Sequence, residues 1–328
     1  MRIAITGSSG YLGRLLAAAL STRAEVESVI GLDIASPEGS APVKFRFHPA
    51  DVRRPFAELL RREGVTAAVH LAFTFGPTRR LRAARAINLD GTRNFLDACR
   101  ETRLSRVIVL GSAIAYGARR DNPPALAEDR PLRAGRGYAY AYHKRLCDEM
   151  CRRFSAECPT VRLAVLRPPI VLGRHVDNYF SRMFFKPKVV YPRGADPAMQ
   201  FVHEDDLCAA VVALLQNDAV GPFNLAPEGS IRFSELAWEF KRAALGMPYS
   251  LLWAVCAFTY SARLVRLNET PPGALPYIRY PWLVSGERLR AETGFVPVHS
   301  TLDTVRAWRR SVLDQAAAGR TFEGKFRI

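Results

Sequence analysis

Tyr140-Ala141-Tyr142-His143-Lys144 places a phenol and an ammonium four residues apart. On a helix such residues share a face, so the Lys144 ammonium can lie beside the Tyr140 phenol. A phenol titrates near ~10 when unperturbed, and a neighbouring cation favours the phenolate. The pair can then take a proton from an alcohol, or return one to a ketone, at working pH. Tyr138 and Tyr142 are rivals by type, but the residues four positions on are Tyr142 and Leu146. Upstream, Leu110-Gly111-Ser112-Ala113-Ile114-Ala115-Tyr116-Gly117 follows an apolar run. Ser112 can hydrogen-bond a substrate oxygen and steady the charge that develops on it. The chemistry these three residues suit is hydride transfer at a carbon bearing a hydroxyl or a ketone.

A hydride needs a carrier, and the N-terminus supplies a place for one. Thr6-Gly7-Ser8-Ser9-Gly10-Tyr11-Leu12-Gly13 follows the first apolar run and opens a helical pattern. Gly7 permits a tight turn, Gly10 lets backbone amides approach a pyrophosphate, and Gly13 allows helix and strand to pack closely. The helix N-terminus then presents unpaired N–H groups and a favourable dipole. Asp33 closes the second strand, where a carboxylate accepts both ribose hydroxyls of NAD and repels the 2′-phosphate of NADP. Asp51, after the third strand, is placed for the adenine amine.

These residues have to be positioned by a parallel sheet. The first half alternates short β-rich runs (2–6, 28–33, 43–48, 67–71, 106–110, 162–166) with helical stretches near 11–20, 55–63, 79–102 and 138–157. That alternation marks an α/β Rossmann fold, a doubly wound parallel sheet. After Arg167-Pro168-Pro169 proline is frequent and the pattern irregular, as expected of a smaller C-terminal substrate-binding domain. The division read here is 1–168 plus 201–227 for the NAD-binding domain, and 169–200 plus 228–328 for the substrate lobe.

Composition narrows the classes. With 328 residues and 48% apolar content the chain can bury a sizeable core. The net charge of +16 comes from arginines spread along the chain, without a nucleic-acid motif, so no nucleic-acid partner is expected. The longest apolar window, 251–260, falls well short of the ~20 residues of a membrane span and reads as a core helix, so no stable membrane insertion is expected. No signal peptide is read at the N-terminus, and a cytoplasmic protein is expected. The six cysteines are scattered without a metal-ligand spacing; they read as reduced small hydrophobes, with no metal site.

Taken together, the motifs resemble the extended short-chain dehydrogenase/reductases, the NAD-dependent epimerase/dehydratase group, and within it a bacterial branch similar to UDP-glucose 4-epimerases. The resemblance spans most of the chain. It rests on TGSSGYLG, Asp33, Asp51-Val52, His70-Leu71-Ala72, Asn88-Leu-Asp-Gly91-Thr92, GSAIAYG, YAYHK, Leu166-Arg167-Pro168 and Phe201-Val202-His203-Glu204-Asp205-Asp206-Leu207. It implies a seven-stranded sheet, NAD as cofactor, and Ser112, Tyr140 and Lys144 as the catalytic triad. By the same likeness Ser9, Tyr11, Leu12, Val52, Leu71, Ala72, Phe73, Asn88 and Pro169 join Gly7, Gly10, Gly13, Asp33 and Asp51 around the cofactor. Ala113, Asn178 and His203 are implied as substrate contacts, and a homodimer through the helices near 79–102 and 138–157 is implied as well.

The sequence also departs from the sugar-modifying members. Their dehydratases carry an Asp-Glu pair directly after the catalytic serine or threonine, where this chain has Ala113-Ile114. Their galactose epimerases carry an Arg-Asp pair where Met199-Gln200 stands, and a substrate asparagine where Ile170 stands. The reading is therefore an NAD-dependent dehydrogenase or reductase acting on a small molecule. A UDP-hexose 4-epimerase is the first alternative, and a dinucleotide-sensing module without catalysis the second.

Overall fold

Runs of four to six residues rich in Ile, Val, Ala and Leu form the strands, and the longer amphipathic stretches between them form the covering helices. The computed structural model describes residues 1–174, 176, 180, 183, 188–264 and 268–317. In chain order come β1 (Arg2–Thr6), α1 (Tyr11–Ser21), β2 (Ser28–Asp33), β3 (Phe45–Pro49), α2 (Ala57–Arg62) and β4 (Ala67–His70). There follow α3 (Leu81–Arg85), α4 (Gly91–Glu101), β5 (Arg106–Leu110), α5 (Ala139–Glu157), β6 (Arg162–Arg167) and β7 (Ile170–Leu172). The remainder holds β8 (Lys188–Pro192), β9 (Ala198–Met199), β10 (Phe201–His203), α6 (Glu204–Gln216), β11 (Gly221–Asn224), β12 (Ile231–Arg232) and α7 (Phe233–Glu239). It ends with β13 (Ala243–Met247), α8 (Tyr249–Ser261), α9 (Glu287–Thr293) and α10 (Thr301–Ala317).

Seven strands form one sheet in the order β11-β6-β5-β4-β1-β2-β3, every pair parallel. Both faces are covered: Ile3, Ile5, Leu16 and Leu20 pack with Leu207 and Val211 of α6 on one side. Ala4, Ile30, Phe95, Cys99, Cys151 and Phe154 fill the other. The chain starts at β1 and builds outward in both directions, so the strand order reverses between β1 and β4. That crevice is where open parallel sheets bind their ligands. The loops after β1, β4 and β5 all open onto it.

Two expectations are corrected in detail. The stretch 79–102 is not one α-helix: α3 and α4 are joined by a π turn, Ala86–Asp90. The apolar window at 251–260 is a helix, α8, but only Leu252, Cys256 and Thr259 of it are buried, while Leu251, Trp253, Val255 and Phe258 are exposed. It is thus a core helix on one side only. No helix among the described residues is long and apolar enough to cross a membrane.

A further core cluster gathers Phe180, Phe201, Phe233, Phe240 and Trp308. Small two-stranded pairings (β7 with β10, β8 with β13, β9 with β12) frame it.

Candidate active site

Gly7 follows β1 with φ +74°, and a Cβ there would come within 2.7 Å of the Ala72 amide nitrogen. A Cβ on Gly13 would collide with the Gly7 carbonyl. Both positions therefore need glycine to lay the loop against the turn after β4. α1 starts at Tyr11 with Gly10 as its N-cap and no side-chain cap. Its first-turn amides accordingly have no partner inside the helix. Gly7, Gly10, Tyr11, Leu12 and Gly13 line one wall of the crevice. The Tyr11 hydroxyl is buried without a hydrogen-bond partner. At the end of β2, Asp33 accepts the Ser9 amide at 3.0 Å and the Ile34 amide at 2.7 Å. The carboxylate is half-buried, beside the glycine loop. Unpaired amides, an orphaned hydroxyl and an acceptor carboxylate together fit a dinucleotide.

Behind this wall the buried His70 joins two strand ends to a helix. Its Nδ1 lies 2.7 Å from Thr6 Oγ1, its Nε2 3.2 Å from Thr92 Oγ1, and its ring stacks on Phe95. Burial, aided by the Lys144 charge, drives its pKa down to about 3, so the imidazole is neutral. Asn88 sits in the π turn, buried, with Oδ1 accepting the Thr74 amide at 2.7 Å and Nδ2 3.2 Å from His143 Nδ1. It holds the loop after β4 against α5.

Across the crevice stand Ser112, Tyr140 and Lys144, all three buried and all lining the same cleft. Ser112 leaves β5 as the N-cap of a short 3-10 turn, Ala113–Tyr116, and its Oγ accepts the Ile114 amide at 3.3 Å. Tyr140 and Lys144 lie one turn apart on α5, as their spacing requires. Lys144 Nζ donates to the Leu110 carbonyl at 2.6 Å and lies 3.8 Å from the Phe73 ring centroid. Phe73 and Phe75 meet the Tyr140 ring edge-on at 5.8 and 5.0 Å. Burial pushes the Lys144 pKa down to about 8. Its charge is therefore costly to hold.

α5 is anchored by a buried ion pair. Arg167, at the end of β6, donates two hydrogen bonds of 2.7 Å to Asp148 of α5 and one of 2.6 Å to the Tyr116 hydroxyl. Burial alone would lower the Arg167 pKa, yet the bonds and charge of Asp148 raise it. The pair thus ties the helix that carries Tyr140 to the turn that carries Ser112.

The cleft has a volume of about 430 Å³, and a second cavity of about 400 Å³ adjoins it. Ile114, Ile170, Phe180 and Trp282 line both, so the two spaces share a wall. The second cavity is walled mainly by Met183, Val190, Met199, Met247, Leu252 and Leu275; its polar edge is Lys188, Asn268 and Glu269. No arginine lines it among the described residues.

Not every expected residue reaches the site. Ala113 is fully buried with its amide donating to the Pro168 carbonyl, and the side chain that turns to the cavity is its neighbour Ile114. His203 caps α6 through the Asp205 amide and stacks on His299 at 4.1 Å, and it lines neither space. Val52 is buried against Gly91, and Asp51 is gripped by Arg53 at 2.9 Å. Those hydrogen bonds hold the Asp51 carboxyl below its usual range. Pro169 and Leu71 line the cleft. Asn178 lies outside the described residues. The sequence reading missed Phe75, Tyr277 and Trp282. Trp282 and Tyr277 come from a stretch with no periodicity, and only their aromatic character distinguishes them there.

Residues 3–226 match the model of the NAD dependent epimerase/dehydratase family. An uncharacterised protein of Mycobacterium tuberculosis is 25% identical over 310 residues, covering 92% of this chain and 81% of its own length. A 3-diazoavenalumate denitrifying reductase of a Streptomyces species is 27% identical over 268 residues, 76% of this chain and 83% of that one. Among solved structures, UDP-glucose-4-epimerase from Stenotrophomonas maltophila, with bound NAD and formylated UDP-arabinopyranose, superposes with a TM-score of 0.75. It is 17% identical and covers 97% of this chain and 99% of its own. The chain belongs to the NAD dependent epimerase/dehydratase family, and is an enzyme that uses NAD.

Proposed function

We propose that the chain is a dehydrogenase or reductase for a largely apolar secondary alcohol or its ketone, with Ser112, Tyr140 and Lys144 as catalytic residues. The apolar cavity beside them, walled by Val190, Met199, Met247, Leu252 and Leu275, carries this reading. A nucleotide sugar brings a diphosphate, which is held by fixed guanidinium forks. Met199, where the galactose epimerases carry arginine, is buried in the cavity wall. Its neighbour Gln200 is committed to Val284, accepting its amide at 2.8 Å. Ile114 stands at the position of a dehydratase carboxylate, so the side chain that serves elimination there is missing.

In this reading the first-turn amides of α1 hold the pyrophosphate and Asp33 the adenosine ribose. NAD, when bound, takes up or returns the hydride of the substrate carbon. Tyr140 accepts the hydroxyl proton during oxidation and gives it back during reduction. The Lys144 charge favours the phenolate, and Ser112 donates to the substrate oxygen. The lobe from 169–200 and 228–328 supplies the substrate walls. Six free cysteines support a reducing, cytoplasmic setting, and family resemblance supports a homodimer through α4 and α5.

Two measurements test it. NADH should bind at least about tenfold more tightly than NADPH by calorimetry, because Asp33 faces the ribose. Asp33→Ser should erode the difference, and equal binding to the unmodified protein would remove this assignment. For the substrate, hydrophobic secondary alcohols or ketones should give NAD-linked turnover. UDP-glucose, UDP-galactose and UDP at millimolar levels should barely raise the melting temperature of the NAD complex, since a ligand stabilises in proportion to its binding. The similarity to a UDP-glucose-4-epimerase favours the alternative of a UDP-hexose 4-epimerase. Interconversion of the two UDP-hexoses would establish it.

A further inference from the structure

We propose that the outward face of α8, together with the neighbouring segment 75–82, docks this enzyme on the surface of an anionic lipid bilayer. α8 is apolar on every side, a composition normally found in helices buried all round. Its inner face, Leu252, Cys256 and Thr259, walls the apolar cavity. Its outer face leaves Leu251 51%, Trp253 49% and Phe258 68% exposed. The 75–82 segment abuts the same helix, since the Tyr260 hydroxyl donates to the Thr78 carbonyl at 3.3 Å and Arg79 stacks over the Tyr260 ring at 4.5 Å. That segment adds Phe75 and Leu81, both more than half exposed. Large apolar side chains from two separate stretches therefore stand together at the surface, beyond the scattered exposure normal for a soluble protein.

The charge around the patch selects the occupant. The exposed Arg79, Arg80, Arg82 and Arg85 lie on or next to the 75–82 segment, the exposed Arg263 follows α8 directly, and neither residues 71–89 nor α8 contain a carboxylate. An apolar face rimmed by cations is what binds the headgroup boundary of a bilayer with negative surface potential. A symmetric contact with a second copy would bring these same arginines toward one another, which their charge opposes. The inner face of the docked helix walls the substrate cavity, so an apolar substrate dissolved in the bilayer would have a short path to the site.

The test is co-sedimentation of the intact protein with vesicles of phosphatidylglycerol and phosphatidylcholine, and with phosphatidylcholine alone. Binding should be strong in the first case, at least tenfold weaker in the second, and weakened by 0.5 M salt. Arg80→Gln/Arg82→Gln should lower partitioning roughly 20-fold, from the loss of two surface cations. Trp253→Ser/Phe258→Ser should lower it at least as much and abolish the blue shift of tryptophan emission on binding. Neither double variant touches the residues assigned to catalysis, so NADH affinity should persist in both and separates this proposal from the catalytic one. No binding, binding indifferent to lipid charge, or full binding by either variant would overturn it. So would a halving of the solution mass on Trp253→Ser/Phe258→Ser, which would assign the face to a second copy.

Discussion

Tyr140→Phe will lower NAD-linked turnover by about 10²–10⁴, the usual contribution of a positioned acid–base group. The substitution removes one oxygen and leaves the ring in its edge-on contacts with Phe73 and Phe75. NADH binding should therefore survive, which separates loss of chemistry from loss of structure. The neighbouring tyrosines are the controls. Tyr138 lines the apolar cavity proposed for the substrate, so Tyr138→Phe should act mainly on KM. Tyr142 lies on the other side of the helix from the cleft, under the Arg136 guanidinium, and its loss should cost little. Single-turnover rates decide the matter: if Tyr142→Phe proved as slow as Tyr140→Phe, the assignment of the proton to Tyr140 would fall.

The largest effect on stability should come from Asp148→Ala. Asp148 and Arg167 are both buried, and the guanidinium meets the carboxylate through two bonds of 2.7 Å. Removing the carboxylate strands a cation in the interior, at a cost of about 3–5 kcal/mol. For a chain of this size that corresponds to a fall in Tm of roughly 4–7 °C. Arg167→Met/Asp148→Leu should be far milder, because no charge is left without a partner. Urea titrations of the three proteins report this directly. Equal losses for the single and double variants would show that shape, not charge, holds the network.

Much of this architecture was legible in the sequence because its signals are local. The glycine loop, the four-residue step from Tyr140 to Lys144 and the serine after an apolar strand are set by backbone geometry, which a linear pattern records. Six strands of the sheet follow from alternating runs, whereas the seventh, β11, was implied only by the family likeness. What escaped was long-range. Nothing near Trp282 or Tyr277 says that they will face Ile114, some 160 residues upstream, although the Tyr277 hydroxyl donates to the Ile114 carbonyl at 2.9 Å. His203 and Ala113 were read by likeness as substrate contacts. In the fold, one imidazole is used to cap a helix and the alanine is sealed beneath its neighbour. The apolar run at 251–260 was read as core because periodicity cannot tell one buried face from two.

The π turn at Ala86–Asp90 gives the reading frame of the chain an unusual weight at that point. A π turn accommodates one residue more than a continuous α-helix would hold. Loss of a single codon between 86 and 90 would let the segment relax into a regular helix, turning everything before it by about 100° relative to α4. Asn88 would then leave Thr74 and His143, and the loop that flanks the cofactor crevice would lose its tether, with the rest of the sequence unchanged. Insertions and deletions at this spot should consequently be far less tolerated in evolution than substitutions, even though the segment reads as an ordinary stretch of helix.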